Sequence, residues 1–348
     1  MLTTGRPLDA DFTALRSQLD GSLVHPGDET WDAARQAWNL AVDQRPALVA
    51  LPHSSGDVQA LVDYARRRGL RIAMQGTGHN AAPMGALDGT MLVRTSEMRG
   101  VTIDADRRLA RVEAGVLWAE VTEPASELGL APLAGSSPDV GVVGYTLGGG
   151  LSWLSRRYGL ASERLLAIEL VTSDGRLVRA DSEHESNLFW ALQGDGGSFG
   201  AVTAIEFELI ELEEIYTGMM LWPIERAGEV MHAWHEWTAG APDSVTTSAR
   251  IMHFPPMPEL PDFLRERSVV VIDGASLGEE ATAAEVLAPL PALEPEMNTF
   301  AMIPPAGLSY IHMDPEEPMP ALGESAMLGS LSPERSTPSS SWASPAAR

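Results

Sequence analysis

ALVALPHSSGDVQALVDYARRRGLRIAMQGTGHN, residues 47–80, decides the architecture. The run ALVALP has the length of a buried strand. Ser54 and Ser55 then offer an N-cap. DVQALVDYARRR (57–68) places Val58, Leu61, Val62 and Ala65 on one helical face, and Gly69 ends the helix. A second strand follows at 70–75. This is a β-α-β unit, so part of the sheet is expected to be parallel. The letters that come next, Gln75-Gly76-Thr77-Gly78-His79-Asn80, satisfy a dinucleotide fingerprint, Gly76-x-Gly78-x-x-Ala81. That fingerprint needs a helix to start at the glycines, whereas Pro83 and Gly85 break one. The reading left is a tight loop, either a plain turn or a nest of backbone N–H groups suited to an anion.

Outward from this unit, short strands are expected at 89–94, 100–103 and 109–114, and a helix at 118–128. Beyond a glycine-rich stretch come a strand at 165–171, an Asp174-Gly175 turn into 177–179, a short helix at 187–193 and a long strand at 200–211. Residues 1–44 read as mostly helical. From about 215 the texture shifts. Pro223 opens a helix through 239, with proline at the first helical position, followed by strands at 246–254 and 268–275 and a helix at 279–288. The last 18 residues contain six Ser and three Pro and are expected to be disordered. The expected division is a helical segment (1–44), a first domain (45–215), a second partial domain (216–330) and a tail (331–348).

At 348 residues the chain has length for about two domains of roughly 150 residues each. It contains no cysteine, and all 24 basic residues are arginine. Disulfides, thiolate chemistry and Cys-ligated metals are thereby excluded, as are a Schiff base and a Walker-A lysine. The net charge of −24 argues against nucleic acid and anionic membrane as partners and for solubility. The exclusive use of Arg suggests a GC-rich coding bias, which bears on source and not on function; a bacterial source is the expectation. The N-terminus has no basic-then-apolar leader and no apolar stretch approaches ~20 residues, so the expected location is cytoplasmic.

Two further segments share the character of the 75–80 loop. GSSPDVGVVGYTLGGG (135–150) holds six glycines in 16 residues, and GDGGSFG (194–200) holds four. Glycine is costly to order, so this density implies forced turns or backbone that approaches a ligand closely. A glycine-rich loop at a domain seam is a plausible but wasteful reading of 135–150. Three such loops suit an extended ligand such as a nucleotide cofactor. Other signals are weak. His232 and His235 lie three apart with no further ligand, so no metal site is expected. Met219-Met220 reads as core filler, and Glu211, Glu213 and Glu214 as a solvated acidic face.

Four stretches, 45–80, 107–121, 135–161 and 165–209, with DETWDAARQAWN upstream, resemble in order and spacing the FAD-linked oxidoreductases with a vanillyl-alcohol-oxidase (PCMH-type) flavin domain. Within these the chain is similar to the berberine-bridge-enzyme-like branch, over about residues 28–215. The resemblance implies an α+β fold: a two-subdomain FAD-binding domain, then an incomplete α/β substrate domain with an antiparallel sheet and helices. It implies that Gln75, Gly76, Thr77, Gly78, His79 and Asn80 hold the FAD pyrophosphate, with His79 bonded to the flavin 8α-methyl carbon. A loop histidine with no bond is the alternative, since the family includes non-covalent members. Ser136, Ser137, Val140, Gly141, Gly144, Tyr145, Gly148 and Gly149 would run along the flavin, and Gly200 and Val202 would contact it by backbone.

Two departures qualify this. Ser137 stands where many relatives carry a second, cysteine tether, so single attachment is expected. Relatives also continue beyond the point where the likeness fades, after Gly329, and in several the catalytic base or its helper lies in that region. A truncated chain is the expectation, and no catalytic residue is assigned. The activity implied is oxidation of an alcohol, sugar or secondary metabolite by hydride transfer to FAD N5, with a small-molecule substrate and dioxygen as partners. The alternatives are an inactive FAD-binding remnant and a dehydrogenase with another acceptor.

Overall fold

A computed structural model describes residues 10–258 and 260–327. The expected tail at 331–348, the end of the second expected domain and the first nine residues lie outside that range. The chain divides into two compact units. The first comprises the described residues through Leu151 together with Leu160–Glu211 and Asp314–Gly323. The second comprises Ser152–Gly159, Leu212–Met313 and residues 324–327. The fold is the expected mixture of helix and sheet, with an antiparallel sheet in the second unit.

The first unit holds two main sheets. One has four strands in the order Ser22–Val24, Leu48–Leu51, Thr90–Arg94, Arg71–Gln75. Its last three strands run parallel, as the β-α-β pattern requires, with Thr90–Arg94 inserted between the two strands of the quoted unit. The other is a five-stranded antiparallel sheet, Val101–Asp104, Leu109–Glu113, Ala201–Glu208, Leu165–Val171, Leu177–Asp181. The helix Ser55–Arg68 lies between them. Leu61 and Ala65 pack with Leu48, Ala50, Met91 and Val93 of the four-stranded sheet. Val58 and Val62 pack with Val171 and Ala201 of the antiparallel sheet. The four positions assigned to one helical face are all buried, but they serve two cores. The helix start is fixed locally. Ser54 accepts the Asp57 N–H at 3.1 Å, and the buried Asp57 carboxylate accepts the N–H groups of Asp20, Gly21 and His53 at 2.8–3.0 Å. Gly69 ends it at φ 64°, in the left-handed region that suits glycine.

The second unit is built on an antiparallel sheet in the order Val245–His253, Ser268–Ser276, Ile215–Pro223, Met297–Asn298, with Ala301–Ile303 also paired to Ile215–Pro223. Ile272, Val270, Met220 and Trp222 share a core with helix residues Ala227, Val230 and Leu287. The opposite face carries Met219, Leu221, Val269 and Val271. Met219-Met220 is therefore core, as read from the sequence.

Several expectations need correction. Residues 1–44 are not mostly helical where described. Two short helices, Ala10–Arg16 and Trp31–Arg35, flank the strand Ser22–Val24, which pairs antiparallel with Leu48–Leu51 and buries Leu23 and Val24. Pro223 does not begin the helix. It ends the central strand Ile215–Pro223, and a 3-10 turn Ile224–Arg226 leads into the helix Ala227–Thr238. A proline has no N–H for the ladder, so a strand terminus suits it as well as a helix start. The expected strand 200–211 breaks into Ala201–Glu208 and Ile210–Glu211. Between them Leu209 donates its N–H to the Arg108 carbonyl at 2.8 Å, leaving the sheet direction.

Asp57→Ala tests the helix anchor. It strands three backbone N–H groups at roughly 1 kcal/mol each, so urea unfolding should report a loss of about 3 kcal/mol.

Candidate functional site

The loop after Arg71–Gln75 is a tight turn and not a helix start: only a 3-10 turn, Ala82–Met84, follows, closed by Gly85. Pro83 thus acts as expected. Gly78 has φ 90°, and a Cβ there would lie 2.8 Å from the Ala37 Cβ, so both conformation and space demand glycine. Its carbonyl accepts the Ala81 N–H, and the Thr77 carbonyl accepts the Trp38 N–H at 2.9 Å. Among the described residues, no backbone N–H of residues 76–80 donates to a protein acceptor. These groups are available to an anion, as a nest requires. The buried Gln75 side chain donates to Gln44 Oε1 at 3.0 Å, and its own Oε1 has no partner. Asn80 is exposed.

His79 is the most constrained side chain of the loop. The Trp38 indole stacks on its ring at 4.1 Å with 19° between planes. Nδ1 lies 2.8 Å from Thr77 Oγ1. Nε2 is buried without a hydrogen bond, 3.5 Å from Asp139 Oδ2. That carboxylate is itself fixed, since Oδ2 accepts Trp38 Nε1–H at 2.5 Å and Oδ1 accepts Ser137 Oγ–H at 2.7 Å. Nearby, Asp314 accepts Ser136 Oγ–H at 2.7 Å. Burial holds the His79 imidazole below its ordinary pKa, and the Asp139 and Asp314 charges oppose this. The ring is therefore kept neutral in a neighbourhood that favours positive charge on it.

The second glycine-rich stretch is not all loop. Residues Val142–Leu147 form a short helix whose inner side, Val142, Val143 and Leu147, is buried. Leu117 and Gly141 form an antiparallel bridge, and Trp118 donates its N–H to the Val140 carbonyl, which fixes the strand-like entry. Val140 packs against the core of the antiparallel sheet. Around Gly144 a Cβ would meet nothing within 4 Å, so this backbone faces open space. Tyr145 packs edge-on to Trp118 at 5.3 Å. Burial pushes its phenol well above the usual range, and its hydroxyl has no partner. Gly148 is exposed. Gly149 takes φ 106° and accepts the Ser162 N–H.

The structure brings these segments together. Thr77 Cγ2 lies 4.0 Å from where a Gly141 Cβ would stand, and His79 meets Asp139. At the other end Gly196 donates its N–H to the Leu147 carbonyl at 2.9 Å. All three glycine loops are thus contiguous within the first unit. Gly200 lies against Leu170 and lines a cavity of about 840 Å³ with Met74, Leu87 and Val171. None of the other site residues expected from the sequence lines that cavity. The Val202 side chain is core, leaving only its backbone for a ligand. Sequence reading missed Trp38, Asp139, Asp314 and Arg94. Arg94 pairs in register with Gln75, donates to the Gln36 carbonyl at 2.5 Å and keeps a buried, unpartnered Nε–H. For Trp38 a signal existed, because it falls in the DETWDAARQAWN segment; Arg94 had none.

A dinucleotide fits this surface. Free N–H groups, the orphaned Gln75 Oε1 and Tyr145 Oη, and glycine backbone facing open space are the complement of a phosphate and of a planar ring with polar edges. Comparison with known proteins agrees. Residues 46–181 match the family described as FAD binding domain. The (R)-6-hydroxynicotine oxidase of Paenarthrobacter nicotinovorans is 35% identical over 205 residues, covering 59% of this chain and 45% of that protein. The glucooligosaccharide oxidase of Sarocladium strictum is 33% identical over 59% of this chain and 42% of its own length. The crystal structure of 6-hydroxy-D-nicotine oxidase from Arthrobacter nicotinovorans superposes with a TM-score of 0.76 at 27% identity, covering 85% of this chain and 64% of that one. The matched part of this chain spans less than half the length of these two curated relatives.

Two measurements check the loop. Gly78→Ala combines left-handed strain with a clash against Ala37 and should lower flavin content of purified protein about tenfold or more. The buried neutral His79 also sets a sign for acid stability. The unfolded chain takes up a proton near the ordinary histidine value of about 6.5, and the native ring resists it. Native stability is therefore full above that value and declines as pH falls from there toward the lowered native value. In His79→Asn the drop in urea midpoint between about pH 7.5 and about pH 5.5 should be smaller.

Proposed function

We propose, from the match of residues 46–181 to an FAD binding domain, that the protein is an FAD-dependent oxidase with its flavin bonded to His79. The observation that carries the covalent part is the His79 environment: a neutral, half-buried imidazole on the 75–80 loop, its Nε2 set against Asp139 and its Nδ1 met by the Thr77 hydroxyl alone among the hydrogen bonds of the ring. A neutral imidazole nitrogen is a competent nucleophile, whereas an imidazolium is not. Bound FAD supplies hydride acceptance and electron transfer to dioxygen. The chain's own residues supply the rest. Backbone N–H groups of the 76–80 loop hold the pyrophosphate, and the helix Val142–Leu147 with its flanking glycines presents backbone along the ring. Buried Trp118 and Tyr145 stiffen that surface from behind.

The substrate is a small molecule oxidised at a carbon bearing oxygen or nitrogen: an alcohol, a sugar or a secondary metabolite. The identified relatives, one named for a hydroxynicotine and one for glucooligosaccharide, support this breadth and favour oxidase over dehydrogenase. Among the described residues no helix is long and apolar enough to cross a membrane.

Acid precipitation of the denatured protein tests the covalent reading. The pellet should stay yellow and fluoresce as a flavin, and His79→Ala should release all flavin to the supernatant. Flavin found wholly in the wild-type supernatant would overturn it.

A further inference from the structure

We propose that Asp139 is a positioning residue for flavin attachment, holding His79 Nε2 as the protonated nitrogen so that Nδ1 joins the flavin and Asp139 takes up the Nε2 proton. The proposal rests on the covalent reading above and adds which nitrogen reacts and what drives it. Nε2 has no exposed surface and faces an acceptor-only carboxylate 3.5 Å away, while the His79 side chain as a whole keeps 23% of its surface exposed. The accessible edge of the ring therefore lies away from Nε2. A carboxylate opposite a ring nitrogen selects the tautomer with hydrogen there, because two lone pairs facing each other in a buried site repel. Nδ1 is left as the bare nitrogen. Its hydrogen-bond neighbour is the Thr77 hydroxyl at 2.8 Å, which can donate to it.

Charge makes the same choice. As Nδ1 forms a bond to carbon the ring becomes positive, and burial disfavours that charge. Asp139 and Asp314 are the two carboxylates that offset it. Asp139 is held in place on both oxygens, by the Trp38 indole and by Ser137. Trp38 also stacks on His79, so a single indole fixes the ring and its acceptor together. Ser137, for its part, orients the carboxylate beside the histidine.

In the attachment step the 8α-methyl carbon of FAD loses one C–H proton, and Nδ1 forms the C–N bond. The Nε2 proton passes to Asp139 and on to solvent. The electron pair released reduces the isoalloxazine, and dioxygen takes it up as hydrogen peroxide. The sum is one methyl C–H and one imidazole N–H exchanged for one C–N bond, with dioxygen reduced by two electrons.

The test uses full-length protein made in a riboflavin-starved host, mixed with FAD, with acid-precipitable flavin followed against time. Asp139→Asn keeps size and hydrogen-bonding shape but cannot take a proton. It should slow attachment about a hundredfold while reversible FAD binding, read by fluorescence quenching, stays within about twofold. Asp139→Glu should recover part of the rate, and Ser137→Ala should slow it less than Asp139→Asn does. The wild-type flavin peptide should be linked through Nδ1. Attachment by Asp139→Asn at the wild-type rate, or a link through Nε2, overturns the proposal and leaves the covalent reading standing. Loss of reversible FAD binding in Asp139→Asn assigns Asp139 a structural role and also overturns it. Wild-type protein that binds FAD reversibly and never attaches it overturns the covalent reading itself, and this proposal with it.

Discussion

One helix, Ser55–Arg68, is wedged between two sheets and takes part in the core of each. A single amphipathic face satisfies one sheet; this one is split, with Leu61 and Ala65 turned one way and Val58 and Val62 the other. The consequences reach the site directly. The strand that ends in the 76–80 loop, Arg71–Gln75, sends Ile72 and Met74 onto both cores around this helix. Ala201, which follows the third glycine loop, packs on Val58 and Val62. Loops far apart in sequence are held at fixed separation because the strands that launch them share one packing partner. Cores are packed as tightly as molecular crystals, so a shift at the helix reaches both loops.

Composition and site chemistry are linked as well. A chain with net charge −24 and no lysine has to receive a pyrophosphate without the usual ammonium groups. The backbone N–H groups of residues 76–80 are free for that role, and they carry partial positive charge with no side-chain entropy. Arg94, at the strand end in register with Gln75, carries a guanidinium whose Nε–H has no protein partner. The carboxylates at His79 are a cost for anion binding, and their placement against the imidazole explains why they are tolerated there.

Much of the first unit was legible in the sequence because its signals are local. Hydrophobic spacing, a serine cap and a terminal glycine define Ser55–Arg68, and an apolar run defines Leu165–Val171 to the residue. What escaped depends on pairing at a distance. The strand Ser22–Val24 is three residues long and exists because Leu48–Leu51 lies beside it. The strand Ile215–Pro223 is buried on both faces, so it has no period-2 alternation to read. The glycine-rich stretch 135–150 concealed the helix Val142–Leu147, since glycine density argues against helix and only the buried Val142, Val143 and Leu147 reveal it. In the site, the loop histidine was visible by its motif. Its indole and carboxylate neighbours were not, because Trp38, His79 and Asp139 meet only in the folded chain. Hydrogen bonding from Trp38 to Asp139 spans 101 residues, and no local pattern encodes it.

Asn39 pairs with Ala321 through both its amide and its carbonyl, across 282 residues, and Asp314 reaches back to Ser136. On the ribosome, where about 5–20 residues are added each second, the return segment emerges roughly 15–60 s after Asn39. Through that interval the residues of both sheets and of the histidine loop have been made, but the Asp314 carboxylate and the strand-like partner of Asn39 have not. The first unit is completed by a piece of chain that arrives only after Leu212–Met313 of the second has been made.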